Sequence, residues 1–340
     1  MSKAAELANL IGNINAGGGG ANKNVVINGA MNVCQRSVSA TGLGDSDGYH
    51  TADRILFSFN SGGRLTSTQD SSAPSGFNNS LKLDCTTADT SVGSGDYMFI
   101  STRVEGQDLQ RFAKGTSDAK PFAVSFYVKG NASATYVCEL FDEDNTRQIS
   151  KTFNVTTDWT RVELTFPADT TGAFDDDNAR SLDLTIWLHA GSNFTSGTIN
   201  SSAWASNTLA NRVGSGTTSF FDSTDRTFFL TGVQLEVGQN PTSFEHEPIE
   251  STLLKCQRYF HKETYANNLG PFFCQYTPDY RFVHIWHHVK MRAIPTSTFT
   301  SNESASEYES TESHFKAYVT EPNTGSYSKY LTAYQADAEL

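Results

Sequence analysis

Three consecutive aspartates followed by an asparagine, Asp175-Asp176-Asp177-Asn178, place several oxygen ligands in one polar segment. Ca²⁺ binds such oxygens, taking about six to eight of them. The segment lacks the fixed spacing of an EF-hand loop, and neighbouring acids on a surface usually stay solvated. Asp175, Asp176 and Asp177 are therefore weak calcium candidates, and we predict no firmly bound metal and no other cofactor.

A cluster of histidines near the C-terminus, His284, His287 and His288, suggests transition-metal binding. In an extended strand the Cα atoms of His284 and His288 are about 13 Å apart, too far for one ion to reach both. In a trimer, a three-fold axis would bring three copies of one histidine together. A metal site between subunits is therefore the alternative interpretation. Histidines buried at a subunit contact are the favoured interpretation, with His284, Trp286 and His288 as the candidate oligomer interface.

The sequence carries no recognisable catalytic pattern. GxSxG, HExxH and phosphate-loop motifs are absent, and adjacent aspartates on one loop cannot oppose each other across a sugar as glycosidase carboxylates do. The five cysteines form no CxxC pair, so we predict buried free thiols at Cys34, Cys85, Cys138, Cys256 and Cys274. The chain is predicted to be non-enzymatic.

A long polar segment, residues 191–225, contains Trp204, Asn207 and Arg212. An indole face can stack on a sugar ring while amide and guanidinium groups hydrogen-bond its hydroxyls, so these three are the candidate glycan-binding residues. The alternative is that Trp204 folds back and holds the loop in place, because long loops often pack on their own side chains.

Composition favours strands joined by polar turns. The chain has 340 residues, of which 37% are apolar and 18% are charged, so it has room for two domains and a tail. Its net charge of -12 would repel nucleic acid. The sequence has no apolar run of membrane-spanning length and no secretory signal, which predicts synthesis in the cytoplasm and no membrane insertion.

The N-terminus has an amphipathic helical pattern. Leu7, Leu10, Ile11 and Ile14 follow the i, i+3, i+4, i+7 spacing, and a glycine tether at residues 17–20 comes next. A helix this short is unstable alone in water, so its apolar stripe needs a partner. We interpret it as a docking helix, with a frayed terminus as the alternative.

From residue 25 onward, short runs alternate apolar and polar side chains between turn-forming residues. Many such strands without helical periods predict an all-β protein with a jelly-roll-like β-sandwich and a smaller C-terminal β domain. The predicted organisation is a docking helix and tether at 1–24, a sandwich at 25–248 and a C-terminal domain at 249–340.

Several short motifs resemble those of a family of tailed-phage fibre proteins. The motifs are Asn24–Arg36, Thr51–Arg54, Leu230–Gly238, Thr242–Glu245, Leu254–Phe260 and Met291–Thr296. The middle portion of that family is similar to β-sandwich modules that bind carbohydrate. The resemblance implies a virion protein, a homotrimer, and attachment of the N-terminus to other virion proteins of the tail or capsid.

The resemblance, taken with the all-β pattern, implies a structural fibre or spike subunit of a phage particle, made in the host cytoplasm and adhering to host surface polysaccharide. Two alternatives remain open: a capsid or tail decoration protein without receptor activity, and a polysaccharide-degrading tail spike.

Overall fold

The computed structural model describes residues 3–4, 23–265, 274–277, 280–302, 304–320 and 330–340, without side chains at 274–277 and 320. The predicted docking residues Leu7, Leu10, Ile11 and Ile14 lie outside these ranges. The chain divides into two compact units, Met1–Glu247 and Pro248–Leu340. The described residues include no helix long and apolar enough to cross a membrane.

The larger unit consists of two antiparallel sheets. Sheet A is built, in spatial order, from β1 (Ser39–Leu43), β4 (Arg64–Asp70), β5 (Ser80–Thr87), β13 (Thr227–Val237), β7 (Phe122–Gly130) and β10 (Thr160–Phe166). Sheet B is built from β12 (Ala205–Ser206), β9 (Arg147–Val155), β8 (Ala134–Asp142), β11 (Arg180–Ala190), β6 (Tyr97–Glu105), β3 (Leu56–Asn60) and β2 (Gly48–Tyr49).

The chain crosses repeatedly between these sheets. It passes from β5 in sheet A to β6 in sheet B, returns to β7, and repeats such crossings through β8–β9, β10, β11 and β13. These connections stack the two sheets as a jelly-roll-like sandwich with apolar side chains between them. The prediction of an all-β fold is confirmed.

Alternation along each strand determines which side chains enter the core. In β11, Leu182, Leu184, Ile186 and Leu188 are buried in the main hydrophobic cluster. The intervening residues, including Thr185 and Trp187, point to the opposite face of sheet B, because successive side chains of a strand alternate.

Helices are short in the described residues. The larger unit has α1 (Gly106–Leu109) and α2 (Ser192–Thr195), and the smaller unit begins with α3 (Ile249–Gln257). In α3, Pro248 occupies the N-cap position and Ser251 lies in the first turn. The proline fits there because the first helical N–H groups need no carbonyl partner within the helix.

The smaller unit has two further antiparallel sheets. Sheet C contains β14 (Phe260–Thr264), β20 (Leu331–Asp337) and β17 (Thr296–Ser301). Sheet D contains β15 (Cys274–Thr277), β16 (Tyr280–Trp286), β19 (His314–Thr320) and β18 (Ser306–Ser310). They share a separate core formed by Val283, Ile285, Met291, Phe315, Ala317, Val319, Leu331, Tyr334, Ala336 and Ala338.

The segment before β1 is fixed to sheet A by close backbone contact. The N–H of Val25 donates to the carbonyl of Leu235 at 3.0 Å, and the N–H of Val233 donates to the carbonyl of Gly29 at 2.9 Å. A Cβ atom added to Gly29 would lie 2.1 Å from the carbonyl oxygen of Val233, so only glycine fits there. The motif around residues 24–29 thus has a structural role.

Replacing Gly29 with Ala is expected to lower the free energy of unfolding of the larger unit by about 1–3 kcal/mol, because the added methyl group overpacks a backbone contact. Chemical denaturation measures this. Gly95→Ala is the control, since its Cβ would meet nothing closer than 3.8 Å. Equal stabilities for the two variants would contradict the assigned contact.

Candidate functional site

The outer face of sheet B is covered by part of the long segment 191–225. Arg212 in that segment donates from Nε to Glu139 Oε1 at 2.9 Å and from a terminal nitrogen to Glu139 Oε2 at 2.7 Å. Its guanidinium carbon also lies 4.9 Å from the Trp187 ring centroid and 4.8 Å from that of Phe141. Burial disfavours the charged guanidinium, but Glu139 outweighs this effect and raises the pKa of Arg212.

Trp204 holds the loop against the sandwich rather than presenting a face to solvent. Its side chain is buried, Nε1 donates to the carbonyl of Pro167 at 2.9 Å, and its ring lies 5.3 Å from that of Phe122. Asn207 is half-buried, and its N–H donates to the carbonyl of Thr146. Sequence spacing suggested a sugar-stacking role for Trp204, whereas its contacts match the loop-holding alternative.

The weak calcium candidates Asp175, Asp176 and Asp177 are exposed. The N–H of Asp175 donates to Asp144 Oδ2 at 3.0 Å, and Asp177 Oδ1 accepts from the N–H of Ala179 at 2.8 Å. Among the described residues, these aspartates do not belong to a group of three potential metal ligands that lie together. Their contacts are those of a solvated turn.

Two other groups of potential metal ligands do meet in the described residues. In one group, Asp89 accepts from the Ser61 hydroxyl at 2.8 Å and from the Gly62 N–H at 2.9 Å, and Asp96 accepts from the Gly93 N–H at 2.6 Å. His189 completes that group, and its Nδ1 lies 2.7 Å from the Ser219 hydroxyl. Protein groups therefore already contact all three side chains. The second group is His261, Glu263 and His288.

Three thiols of the larger unit have raised pKa values. Burial is the main cause that raises the pKa of Cys34 to about 12 and of Cys85 to about 11, and the pKa of Cys138 also rises. Cys34 is half-buried rather than buried as predicted, and the side chain of Cys274 lies outside the described residues. A raised pKa keeps a thiol protonated, which disfavours nucleophilic chemistry.

Sheet D presents an exposed surface rich in rings, which we call the aromatic face. It consists of Tyr280, Phe282, His284, Trp286, Tyr308, His314 and Tyr318. Trp286 is 63% exposed, Tyr308 is 61% exposed and Tyr280 is 41% exposed. Adjoining exposed aromatic side chains of this kind are typical of interaction surfaces.

The rings of the aromatic face form two adjoining groups. The Phe282 ring lies 5.2 Å from Tyr308 and 6.0 Å from Tyr318, and these residues with Tyr280 line a shallow depression of about 220 Å³. The His284 ring lies 4.4 Å from Trp286 and 4.6 Å from His314. Because β16 pairs directly with β19, the positions of these rings are set by a hydrogen-bonded sheet.

Polar groups lie beside these rings. Lys316 Nζ lies 5.6 Å from the Tyr308 ring centroid and 3.9 Å from Glu309 Oε2, and His314 Nε2 lies 3.2 Å from the same oxygen. Desolvation, with His314 and Lys316 nearby, lowers the pKa of His284 below its usual value, so this imidazole is neutral at pH 7. The face thus combines flat apolar rings with hydrogen-bond donors and acceptors.

The sequence pattern located part of this surface. Alternation places Phe282, His284 and Trp286 on one face of the strand and Val283 and Ile285 on the other. The face with Val283 and Ile285 is buried, whereas His284 and Trp286 are exposed. His288 does not continue the series, because β16 ends at Trp286 and the His288 ring packs 4.7 Å from His261.

Tyr308 and Tyr318 were not among the predicted site residues. They join the aromatic face because β18 and β19 pair with each other and β19 pairs with β16. A tyrosine beside polar residues in 306–310 gives no separate signal in the sequence. The local sign of Tyr308 in the sequence is an aromatic residue at an outward-facing strand position.

Several solved structures are similar to this chain at low sequence identity. Neither a protein-family model nor a curated protein matches the chain. Solved structures that are similar include a family 30 carbohydrate-binding module, with 12% identity, a TM-score of 0.33, and coverage of 67% of this chain and 93% of the module. TmCBM61 in complex with β-1,4-galactotriose is similar with 11% identity and a TM-score of 0.32. The match covers 63% of this chain and 98% of TmCBM61.

The enzymatically active domain of tailspike protein 4 of bacteriophage CBA120 is also similar, with 11% identity, a TM-score of 0.32 and 63% coverage of this chain. The chain spans 21% of that structure.

Proposed function

We propose that this chain is a non-enzymatic adhesive subunit of a phage fibre or spike, and that it binds host surface polysaccharide through the aromatic face. The observation that carries the binding proposal is the exposure of Trp286, Tyr308 and Tyr280 on one sheet. These rings adjoin charged and hydrogen-bonding side chains, which is the combination that a glycan requires.

The chemistry of the aromatic face suits a sugar. One side of a pyranose ring presents C–H groups that pack on an aromatic ring, and its hydroxyls need donors and acceptors nearby. Tyr280, Phe282, Tyr308 and Tyr318 line the depression, and Lys316 and Glu309 stand at its edge. A shallow site of this kind binds weakly alone, and several copies on one particle would raise the overall avidity.

The virion role is supported by the motifs that resemble tailed-phage fibre proteins, from Asn24–Arg36 to Met291–Thr296. On this proposal, Leu7, Leu10, Ile11 and Ile14 dock on a tail or capsid protein, and the chain assembles as a homotrimer in the virion. The glycine tether separates docking from adhesion, since glycine-rich segments are flexible.

A structural role without receptor binding is the second candidate. The exposure that favours a glycan also favours burial of Trp286 and His284 against another copy of the chain, because exposed aromatic patches are common at subunit contacts. In such a decoration protein, altering the aromatic face would change the oligomeric state. The wild type itself would bind no glycan.

Replacing Trp286 with Ala is expected to weaken glycan binding at least tenfold, because removal of a central aromatic at a binding surface typically costs about 2 kcal/mol. The measurement is biolayer interferometry of the full chain against immobilised bacterial lipopolysaccharides and capsular polysaccharides. Ile294→Ala is the matched control, since Ile294 is also exposed, at 67%, and lies outside the strands of sheet D.

Light scattering and sizing of the polysaccharide on the same samples separate the alternatives. The proposal is supported if the wild type and Ile294→Ala bind the immobilised polysaccharide and Trp286→Ala does not. The oligomeric state must be the same in all three proteins. A changed oligomeric state without polysaccharide retention by any variant would support the decoration role. A fall in polymer size would indicate a degrading spike.

A further inference from the structure

Three side chains of the smaller unit converge away from the aromatic face. His261 and Glu263 lie two residues apart on β14 and so project on the same side of that strand, and His288 lies in the turn after β16. Glu263 Oε1 is 3.1 Å from His261 Nε2 and 3.6 Å from His288 Nε2. One carboxylate oxygen therefore lies between two imidazole nitrogens.

These distances fit a single small metal ion. Zinc bonds of about 2.0–2.1 Å to nitrogen and oxygen place neighbouring ligand atoms about 3.3–3.4 Å apart in a tetrahedron. The two measured separations, 3.1 Å and 3.6 Å, lie on either side of that length. All three ligand atoms lie within 4.8 Å of one another, so modest side-chain shifts would bring them to these separations.

The hydrogen bond at the other nitrogen of His288 determines which atom is available. Gln257 Oε1 lies 3.2 Å from His288 Nδ1 and can only accept, so Nδ1 carries the proton. In that tautomer the lone pair of Nε2 points towards Glu263 Oε1. Two electron-rich atoms in that arrangement require a cation between them, either a proton or a metal ion.

His261 is able to change tautomer without breaking a second hydrogen bond. The side chain is 1% exposed, and its Nδ1 has no hydrogen-bond partner among the described residues. Its Nε2 is therefore free to exchange a proton for a metal ion.

Neighbouring side chains orient the ligands. The Tyr265 hydroxyl donates to Glu263 Oε2, which leaves Oε1 facing the histidines, and Gln257 holds the ring of His288. Partners of this kind fix the ligands of known metal sites and strengthen binding. The donor set of two imidazoles and one carboxylate matches zinc and does not match calcium, which prefers oxygen alone.

We propose that His261, Glu263 and His288 bind one Zn²⁺ ion, with its fourth position open to solvent. The opening follows from His288, whose side chain is 54% exposed. The ion would link β14 of sheet C to the turn that follows β16 of sheet D. It would thereby stabilise the unit that carries the aromatic face, independently of what that face binds.

The test is isothermal titration of the full chain with ZnCl₂ after treatment with a chelator. One equivalent of zinc should bind, and heating should show the unfolding transition of the smaller unit at a higher temperature when zinc is present. Substitution with Co²⁺ should give the intense visible absorption of a tetrahedral site.

His288→Ala is the main variant, because this partly exposed side chain can be removed with little effect on packing. It should lower zinc affinity at least tenfold and abolish the cobalt absorption. His284→Ala is the matched control, an exposed histidine of the same unit outside the cluster. Absence of stoichiometric zinc binding by the wild type would overturn the proposal, as would equal affinity in His288→Ala and the wild type.

Discussion

Replacing Lys114 with Met is expected to lower the free energy of unfolding of the larger unit by about 3–5 kcal/mol, because removal of one member of a buried ion pair leaves its partners uncompensated. The side chains of Lys114 and Asp142 are completely buried, and Nζ lies 2.5 Å from Asp142 Oδ2. Asp169 Oδ2 is 3.3 Å from the same nitrogen.

The ammonium group also holds a loop. Nζ donates to the carbonyl of Thr171 at 2.9 Å and to that of Gly172 at 2.7 Å, so its protons are directed at the loop and at Asp142. A Met side chain would fill much of the same volume without supplying any donor. The variant therefore tests the charge and its hydrogen bonds rather than packing.

The two aspartates respond differently to their surroundings. Burial raises the pKa of Asp142 despite the hydrogen bond from Lys114. Burial also acts to raise the pKa of Asp169, but hydrogen bonds from Arg147 and Thr171, together with Lys114, outweigh it and leave that pKa low. Ionised Asp142 therefore depends on Lys114 more than Asp169 does, because Arg147 also pairs with Asp169 at 2.7 Å.

This difference gives the stability loss a pH dependence. Without Lys114, the pKa of Asp142 in the folded state should rise further above its unfolded value, so the variant should lose stability as the pH rises between those two values. The deficit should be smaller at pH 4.5 than at pH 7.5. Denaturant titrations at the two pH values, followed by tryptophan fluorescence and compared with the wild type, measure it.

Lys82→Met is the matched control. Lys82 pairs with Asp84 at 2.9 Å and lies 5.7 Å from the Phe229 ring centroid, as Lys114 lies 5.2 Å from that of Phe174. The Lys82 side chain is 27% exposed, and pairs near the surface usually contribute about 0–1 kcal/mol. If Lys114→Met and Lys82→Met lost similar amounts of unfolding free energy, the buried ion pair would contribute no more stability than the surface pair.

The sandwich could be predicted because each strand has a local sequence pattern of alternating apolar and polar residues. The alternating residues 182–188 lie in β11, and the apolar-rich runs at 122–128 and 228–237 lie in β7 and β13. Each pattern spans neighbouring residues and reflects one buried face. A strand can therefore be recognised in the sequence without knowing which strand it pairs with.

The candidate sites were less predictable because they join residues that are distant in the chain. Arg212 and Glu139 are 73 positions apart, and His261 meets His288 only through the topology of the smaller unit. Trp204 showed the opposite problem. Its aromatic character suggested binding, but local composition cannot distinguish a ring that faces solvent from one that closes over Phe122.

The contact between Arg212 and Glu139 provides the second large expected effect. Glu139 is fully buried, and its two carboxylate oxygens accept from Arg212 and from Trp187 Nε1, the latter at 2.8 Å. Among the described residues, Arg212→Met would leave the carboxylate with the indole N–H of Trp187 as its remaining side-chain donor. We expect a loss of about 3–5 kcal/mol in the free energy of unfolding of the larger unit.

The double variant Arg212→Met/Glu139→Gln distinguishes loss of the ion pair from loss of the loop. A neutral amide still accepts from Trp187 Nε1 and removes the uncompensated charge, so the double variant should recover more than half of the stability lost in Arg212→Met. Limited proteolysis should still cut segment 191–225 faster in both variants than in the wild type, since both lack the guanidinium contacts to Trp187 and Phe141. If the double variant were as unstable as Arg212→Met, the stabilising contribution of Arg212 would come from covering these rings rather than from neutralising Glu139.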